Sequence, residues 1–470
     1  MTGGRFSDSA RRILTQAWPI LVGQLSVVAF ATVDTALLGR HGSADLAALA
    51  VGASAYITVF IGLMGVVVAL GPIVGQLFGA RQLPMAGHQL HQAVWLALGL
   101  SALGSTLLLF PAPFLAMARL DGEQEARVRS YLGVLAFSLP ASLLFAAYRS
   151  FNNAVSRPKA TMLLQLVGLG LKIPLSALLI EGVPALGVPA LGVVGCALAT
   201  AIVMWAQALI GFAVLRRDPF YAPFELWGRG LHPPDRQALW AQLRLGVPMG
   251  LAILIEVSGF ALMAVFIARF GTTPVAGHQI AANLVSLMFM VPMALASGTS
   301  TLAAQRVGAR DLHDARRLAR HGISLGMLVA TAMGAAVFVG REAVVGLYTS
   351  DAAVAAAAVS LLAWVTLFHV VDALQTLAAF VLRAWRITTL PMIIFAGCSW
   401  GVGQGGGWLL AFDPAGVVPA ALHGARGYWV AATAGLGLAA LLLSLLLMRV
   451  MRQQKALALE KAQDAAADAA

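Results

Sequence analysis

The stretch that decides the fold runs from Gly246 to Arg269 and reads GVPMGLAILIEVSGFALMAVFIAR. It is long enough to cross a bilayer as one helix. Near its middle stands one ionisable side chain, Glu256. A carboxylate inside a bilayer costs free energy unless it has a charged partner or serves a function. Two other apolar stretches carry an acid in the same way, Asp34 and Asp372.

The whole chain has the composition of a polytopic helical membrane protein. Its 470 residues are 60% hydrophobic and 11% charged, with a mean hydropathy of +0.84. These values exclude a soluble globular protein. The net charge of +11 does not indicate a nucleic-acid partner, because Lys and Arg lie in the short loops between apolar runs. We expect no cleavable signal peptide, and neither a disulfide nor a structural metal site at Cys196 and Cys398.

Apolar runs of spanning length predict twelve transmembrane helices in an all-α fold. They lie at about 13–38, 46–78, 93–117, 128–148, 160–181, 190–215, 243–268, 275–305, 321–347, 353–382, 389–411 and 428–450. A longer polar segment with several prolines divides them into two groups of six. This predicts an N-terminal lobe at 1–215, an interlobe linker at 216–242, a C-terminal lobe at 243–452 and a tail at 453–470.

The positions of the basic residues predict the orientation. If the N-terminus is cytoplasmic, 23 of the 31 Lys and Arg residues fall in cytoplasmic segments and seven in outer loops. Short cytoplasmic loops carry the excess of positive charge in membrane proteins. Both termini are therefore expected in the cytoplasm, in a multi-pass protein of the bacterial plasma membrane.

The two halves of the sequence repeat at an offset of 229 residues. Pro19 matches Pro248, and the segment from Gln76 to Arg81 matches that from Gln305 to Arg310. Two bundles with an even number of spans each share one orientation, so the repeat predicts a parallel pseudo-twofold relation between six-helix bundles. In such proteins the bundles rock against each other around sites at mid-membrane depth.

Helical rise places two of the acids at one depth. Glu256 lies 12 residues from Arg244, and Asp372 lies 11 residues from Arg383. At 1.5 Å per residue both are about 17 Å into the membrane. Two neighbouring carboxylates repel each other unless they share a proton or bind a cation. The alternative is two separately satisfied acids, or a structural pair with a nearby arginine.

The N-terminal half carries an acid and a base within its spans. Asp34 is either a functional acid or an interfacial one that pairs with Arg40. Lys172 is too deep to reach the interface, so it needs a carboxylate partner, for which Asp34 is the obvious candidate, or a wet cavity. His88 and His91 have a metal-ligand spacing, but they lie in a basic loop without acids and predict no metal site.

The motifs along the chain, taken in order, resemble those of the multidrug and toxic compound extrusion (MATE) family, in its NorM-like branch. The matching positions run from the first span to the eleventh: Pro19, Val33-Asp34-Thr35, Gln76-x-x-Gly79-Ala80, Pro158, Leu191-Gly192-x-x-Gly195-Cys196-Ala197-x-Ala199-Thr200, Gly246-x-Pro248, Glu256, Ala276-Gly277-His278-Gln279-Ile280-Ala281, Asp372-Ala373-Leu374-Gln375, Leu382-Arg383 and Pro391.

This resemblance implies a monomeric, bilayer-embedded antiporter, not an enzyme. It would export organic cations and amphipathic drugs in exchange for Na⁺ or H⁺, with no other cofactor. It implies coupling at Glu256 and Asp372 in one half and at Asp34 in the other. Supporting and hinge residues are named by the same resemblance: Phe368, His278, Gln279, Thr200 and, as a hinge, Pro19.

The chain departs from the family pattern in the fifth span. Lys172 and Ser176 stand where two asparagines are usual, so a fixed positive charge would occupy a place where a cation could bind. Two other classes stay open at this point. One is a flippase of lipid-linked precursors, which would favour a strongly cationic cavity. The other is a membrane-embedded transferase, which would need polar catalytic groups near an interface.

Overall fold

The computed structural model describes residues 6–118, 120–184, 187–228 and 230–467. Residues 1–5 of the predicted first lobe and 468–470 of the predicted tail lie outside the described residues. The described chain is all-α. Its helices in chain order are α1 Phe6–His41, α2 Ser43–Val67, α3 Leu70–Gly79, α4 Leu83–Leu109, α5 Ala112–Ala118, α6 Gly122–Ala154, α7 Pro158–Glu181, α8 Gly192–Arg217, α9 Arg236–Ile267, α10 Thr272–Gly308, α11 Leu312–Val339, α12 Arg341–Gly346, α13 Ala352–Ala384, α14 Thr389–Ala396, α15 Gly406–Phe412 and α16 Ala425–Ala467.

Twelve spans are present, as the apolar runs predict. Within the described ranges, eleven helices are long and apolar enough to cross a bilayer, with α2 and α3 counted as one. The remaining predicted span, 389–411, is interrupted. It consists of α14, a π-helical segment at Gly397–Gly405, and α15. We call this middle part the π-segment.

Glycine explains why the π-segment adopts its conformation. Glycine has little preference for the α-helix, and it allows another backbone to approach closely. The backbone of Gly403 lies so close to α16 that a Cβ added at Gly435 would be 2.8 Å from its nitrogen and 2.6 Å from the carbonyl oxygen of Cys398. The close packing that these glycines predict is therefore present.

The internal repeat appears in the order of the helices and in their ends. The short helix α5 recurs as α12 at the predicted offset. Arg81 after α3 and Arg310 after α10 have positive φ angles of 58° and 59°. In both turns the next amide bonds back to a carbonyl five residues earlier, Gln82 to Leu77 and Asp311 to Arg306. Equivalent sequences thus end their helices by the same left-handed turn.

The chain forms two compact units. One contains residues 18–254, and the other contains residues 6–17 together with 255 onward. Helix α1 therefore begins in the second unit and continues in the first, and α9 begins in the first and continues in the second. Pro19, the predicted hinge, lies just after the point where α1 passes from one unit to the other.

The polar linker packs onto the first unit. Asp218 accepts a hydrogen bond from the backbone N–H of Phe220 and forms an ion pair with Arg157. That N–H, followed by the Arg157 guanidinium, lowers the pKa of the Asp218 carboxyl below its usual value. Tyr221 donates a hydrogen bond of 2.6 Å to Asn152 Oδ1. These contacts hold the segment between α8 and α9 in place.

The start of α1 packs onto the second unit through polar contacts. Arg12 lies 3.3 Å from the Asp314 carboxylate on α11, and Ser9 hydrogen-bonds His321 at 2.9 Å. Asp314 also pairs with Arg306 and Arg317. One buried carboxylate therefore ties three arginines from three helices together.

Candidate functional site

Glu256 and Asp372 line one cavity in the second unit. Glu256 projects from α9 and is half-buried, whereas Asp372 projects from α13 and is 6% exposed. The cavity has a volume of about 40 Å³. The side chains and glycines around it come from α9, α13, the broken span and α16: Glu256, Gly259, Phe260, Met263, Phe368, Asp372, Phe395, Ser399, Gly403, Gln404, Ala432 and Leu436.

The size of this cavity decides what it can hold. A water molecule needs roughly 10–15 Å³ of such volume, whereas sites for drug-sized ligands measure about 300–1,000 Å³. The space between Glu256 and Asp372 therefore suits an ion with one or two waters. It does not suit an organic drug.

The two acids have no partner within the described part of the chain. No hydrogen bond or ion pair reaches the carboxylate of Glu256 or that of Asp372. Buried carboxylates without partners repel each other and favour any cation or proton that enters between them. Depth counting predicts that these residues meet, and the structure brings them together.

Phe368 forms an aromatic wall of this cavity. Its ring packs edge-on against Phe260 at 5.8 Å between centroids and against Trp429 at 5.5 Å. It is 5% exposed. The role of Phe368 in the site stays a prediction, but the structure places the ring where a cation at the acids would meet it.

The π-segment supplies site residues that sequence reasoning missed. Ser399 and Gln404 line the cavity, and Gln404 Nε2 donates to the Gly259 carbonyl at 2.8 Å. Trp400 Nε1 donates to the Ile255 carbonyl at 3.3 Å. The signal in the sequence was the presence of polar residues in a predicted span. Their spacing of five does not place them on one face of an α-helix, so that signal was not followed.

Asp34 and Lys172 form an ion pair in the first unit. Lys172 Nζ lies 2.8 Å from Asp34 Oδ1, the lysine side chain is fully buried, and the aspartate side chain is 13% exposed. Asp34 thus pairs with the lysine of α7. Of the alternatives that the sequence left open, the carboxylate partner for Lys172 is the one found.

The ammonium group of Lys172 is fully hydrogen-bonded. Besides Asp34, it donates to Thr200 Oγ1 at 2.6 Å and to the Cys196 carbonyl at 3.2 Å. An ammonium has three N–H donors, and all three are used. Ser176 donates to Asp34 Oδ1 at 3.4 Å. Three of the positions that the family resemblance implies, Asp34, Ser176 and Thr200, therefore surround a cation that belongs to the protein itself.

Two further predicted residues lie apart from these sites. His278 on α10 is 1% exposed and lies 5.9 Å from Trp429 between ring centroids, and Gln279 is exposed. Neither lines the cavity of Glu256 and Asp372. Their supporting role stays a prediction that this geometry does not favour.

A second cavity, of about 440 Å³, lies at the ends of four helices in the first unit. Asp45, whose side chain is 8% exposed, pairs there with Arg127 at 2.6 Å and with His41 at 3.4 Å. Arg127 also pairs with Glu123 at 2.8 Å. These pairs join the end of α1, the start of α2 and the start of α6.

Comparison with known proteins identifies the family. The MatE family model matches the chain twice, at residues 19–178 and 248–409. The starting points are 229 residues apart, which confirms the repeat predicted from the sequence.

Curated relatives and solved structures agree with that match. The chain is 40% identical to the probable multidrug resistance protein NorM of Aromatoleum aromaticum, over 94% of this chain and 95% of that protein. It is 33% identical to the multidrug resistance protein PmpM of Pseudomonas aeruginosa, over 96% and 94%. A crystal structure of MATE in the bent conformation has the same fold, with a TM-score of 0.86 at 19% identity, over 95% of this chain and 96% of that one. The chain is therefore a transporter, not an enzyme, and it belongs to the NorM-like branch of the multidrug and toxic compound extrusion (MATE) family.

Proposed function

We propose that this transporter exports organic cations and other amphipathic drugs in exchange for Na⁺ or H⁺. The observation that carries the proposal is the cavity of Glu256 and Asp372: two carboxylates without partners in the described chain, in a space of about 40 Å³. This arrangement is suited to a small cation or a proton. The drug itself binds elsewhere or in another conformation.

Electrostatics supplies the mechanism. A cation that enters between Glu256 and Asp372 neutralises both, and this favours release of a cationic drug. Departure of the cation restores the negative charge and favours drug binding. Such an exchange drives transport only if the two conformations bind the cation with different affinity. With both termini in the cytoplasm, inward movement of one charge releases about 2.3 kcal/mol per 100 mV of membrane potential.

We propose a different role for the acid of the first unit. Lys172 acts as a tethered counter-ion to Asp34, so this unit needs no coupling ion. The protein would then use one ion site per molecule, in the second unit, and function as a monomer in the plasma membrane.

Ethidium efflux tests the proposal. Cells that lack their own drug pumps would express the parent, Glu256→Gln, Asp372→Asn or the control Glu342→Gln, an exposed acid on α12 of the same unit. Export should fall to the background level in the first two variants and persist in the control. If both site variants export as the parent does at equal expression, the assignment of the ion site is wrong. If the parent itself does not lower dye accumulation, drug export is wrong.

A further inference from the structure

The conformation of the π-segment aims two polar side chains into the ion cavity. Ser399 and Gln404 both line it although they are five residues apart. In an α-helix, residues five apart point about 140° away from each other. In a π-helix the hydrogen bonds join residues five apart, so such residues lie one above the other. The π conformation therefore brings Gln404 to the site of Glu256 and Asp372.

The orientation of the Gln404 amide follows from its hydrogen bond. Only the nitrogen can donate to a carbonyl, so Nε2 is the atom that meets the Gly259 oxygen at 2.8 Å. The other amide atom, Oε1, is then fixed in direction. It is buried and has no hydrogen-bond partner within the described chain. Buried amide oxygens are normally paired, so an orphaned one beside an ion-sized cavity points to a ligand.

The combination of groups indicates which ligand. Two carboxylates and one neutral amide oxygen converge on a space of about 40 Å³. Hard cations bind oxygen ligands of these kinds. A proton needs only a carboxylate oxygen and leaves the amide oxygen without a role.

We propose that Gln404 Oε1 is a direct ligand of the coupling cation and that this cation is Na⁺. This inference rests on the proposed function, because it adds a ligand to the ion site of Glu256 and Asp372. Gln404 then contributes to the choice of Na⁺ over H⁺, and the hydrogen bond to Gly259 on α9 holds it in position.

The test is Na⁺ binding to the purified full-length protein, measured by titration with sodium chloride against choline chloride. Gln404→Met keeps the length of the side chain and removes the oxygen, and Gln404→Asn keeps the amide but withdraws it from the cavity. Trp400→Phe is the matched control, because it removes the other side-chain hydrogen bond from the π-segment to α9 without touching the cavity. Glu256→Gln tests the ion site itself.

We expect both Gln404 variants to bind Na⁺ at least about tenfold more weakly than the parent, the scale of losing one supporting group at a metal site. Trp400→Phe should bind as the parent does, and Glu256→Gln should not bind. Parent-like affinity in both Gln404 variants would overturn the role of Gln404 and leave the ion site standing. An equal loss in Trp400→Phe would reduce Gln404 to a structural contact. A parent that binds no Na⁺ but expels dye on a pH gradient would also overturn the inference. Unchanged binding in Glu256→Gln would overturn the proposed site.

Discussion

Replacement of Lys172 by methionine should strongly destabilise the first unit. The change removes the partner 2.8 Å from Asp34 and leaves that carboxylate, 13% exposed, with only the Ser176 hydroxyl at 3.4 Å. It also leaves Thr200 Oγ1 without the lysine donor. Removing one partner of a buried ion pair typically costs about 3–5 kcal/mol. For a unit of this size the melting temperature should fall by roughly 6–20 °C.

A double-variant cycle shows whether charge is the cause. Thermal unfolding in detergent would be compared for the parent, Lys172→Met, Asp34→Asn and the double variant. The double variant removes both charges, so it should recover most of the loss. If it melts as low as Lys172→Met alone, the lysine acts through packing and the account of a tethered counter-ion is refuted.

Three other changes have expected outcomes. Asp45→Asn should lower the melting temperature by an amount equivalent to about 1 kcal/mol, because Arg127 keeps only its exposed pair with Glu123; an unchanged value would show that the pair is not stabilising. Gly435→Ala places a methyl group 2.6 Å from the Cys398 carbonyl and should cost about 1–3 kcal/mol in thermal unfolding; an unaffected protein would mean that α16 can withdraw freely. Asp218→Asn should lower stability at pH 7 by at most about 1 kcal/mol, because this carboxyl is one-third exposed. Since the folded state lowers the pKa of Asp218, its contribution is present above the ordinary aspartate pKa of about 3.9 and is lost as the pH falls through the lower, folded value. A parent–variant difference that grows in acid would contradict this.

Much of the fold follows from hydrophobic length alone. A bilayer requires long apolar helices with internally paired backbones, so each span leaves a clear run in the sequence. The exception is the span at 389–411, whose composition predicts a continuous helix. Its glycines carry no information about which hydrogen-bonding pattern the backbone adopts. The passage of α1 and α9 between units was also hidden, because local sequence does not reveal which neighbours a continuous helix packs against.

The site was predictable where it depends on depth. Glu256 and Asp372 lie on different helices, and counting residues from the basic ends places them at one level. Gln404 could not be found in this way, because an α-helical reading turns it away from the acids. The pair of Asp34 and Lys172 was a candidate on chemical grounds, and only the packing of α1 against α7 shows that the side chains meet.

The central claim is that one unit carries the coupling ion and the other carries its own cation. Equilibrium binding of radioactive Na⁺ to the purified protein tests this most directly. The account predicts one Na⁺ per molecule, lost in Glu256→Gln and retained in Asp34→Asn. Two Na⁺ per molecule, or a single Na⁺ that disappears in Asp34→Asn and persists in Glu256→Gln, would contradict it.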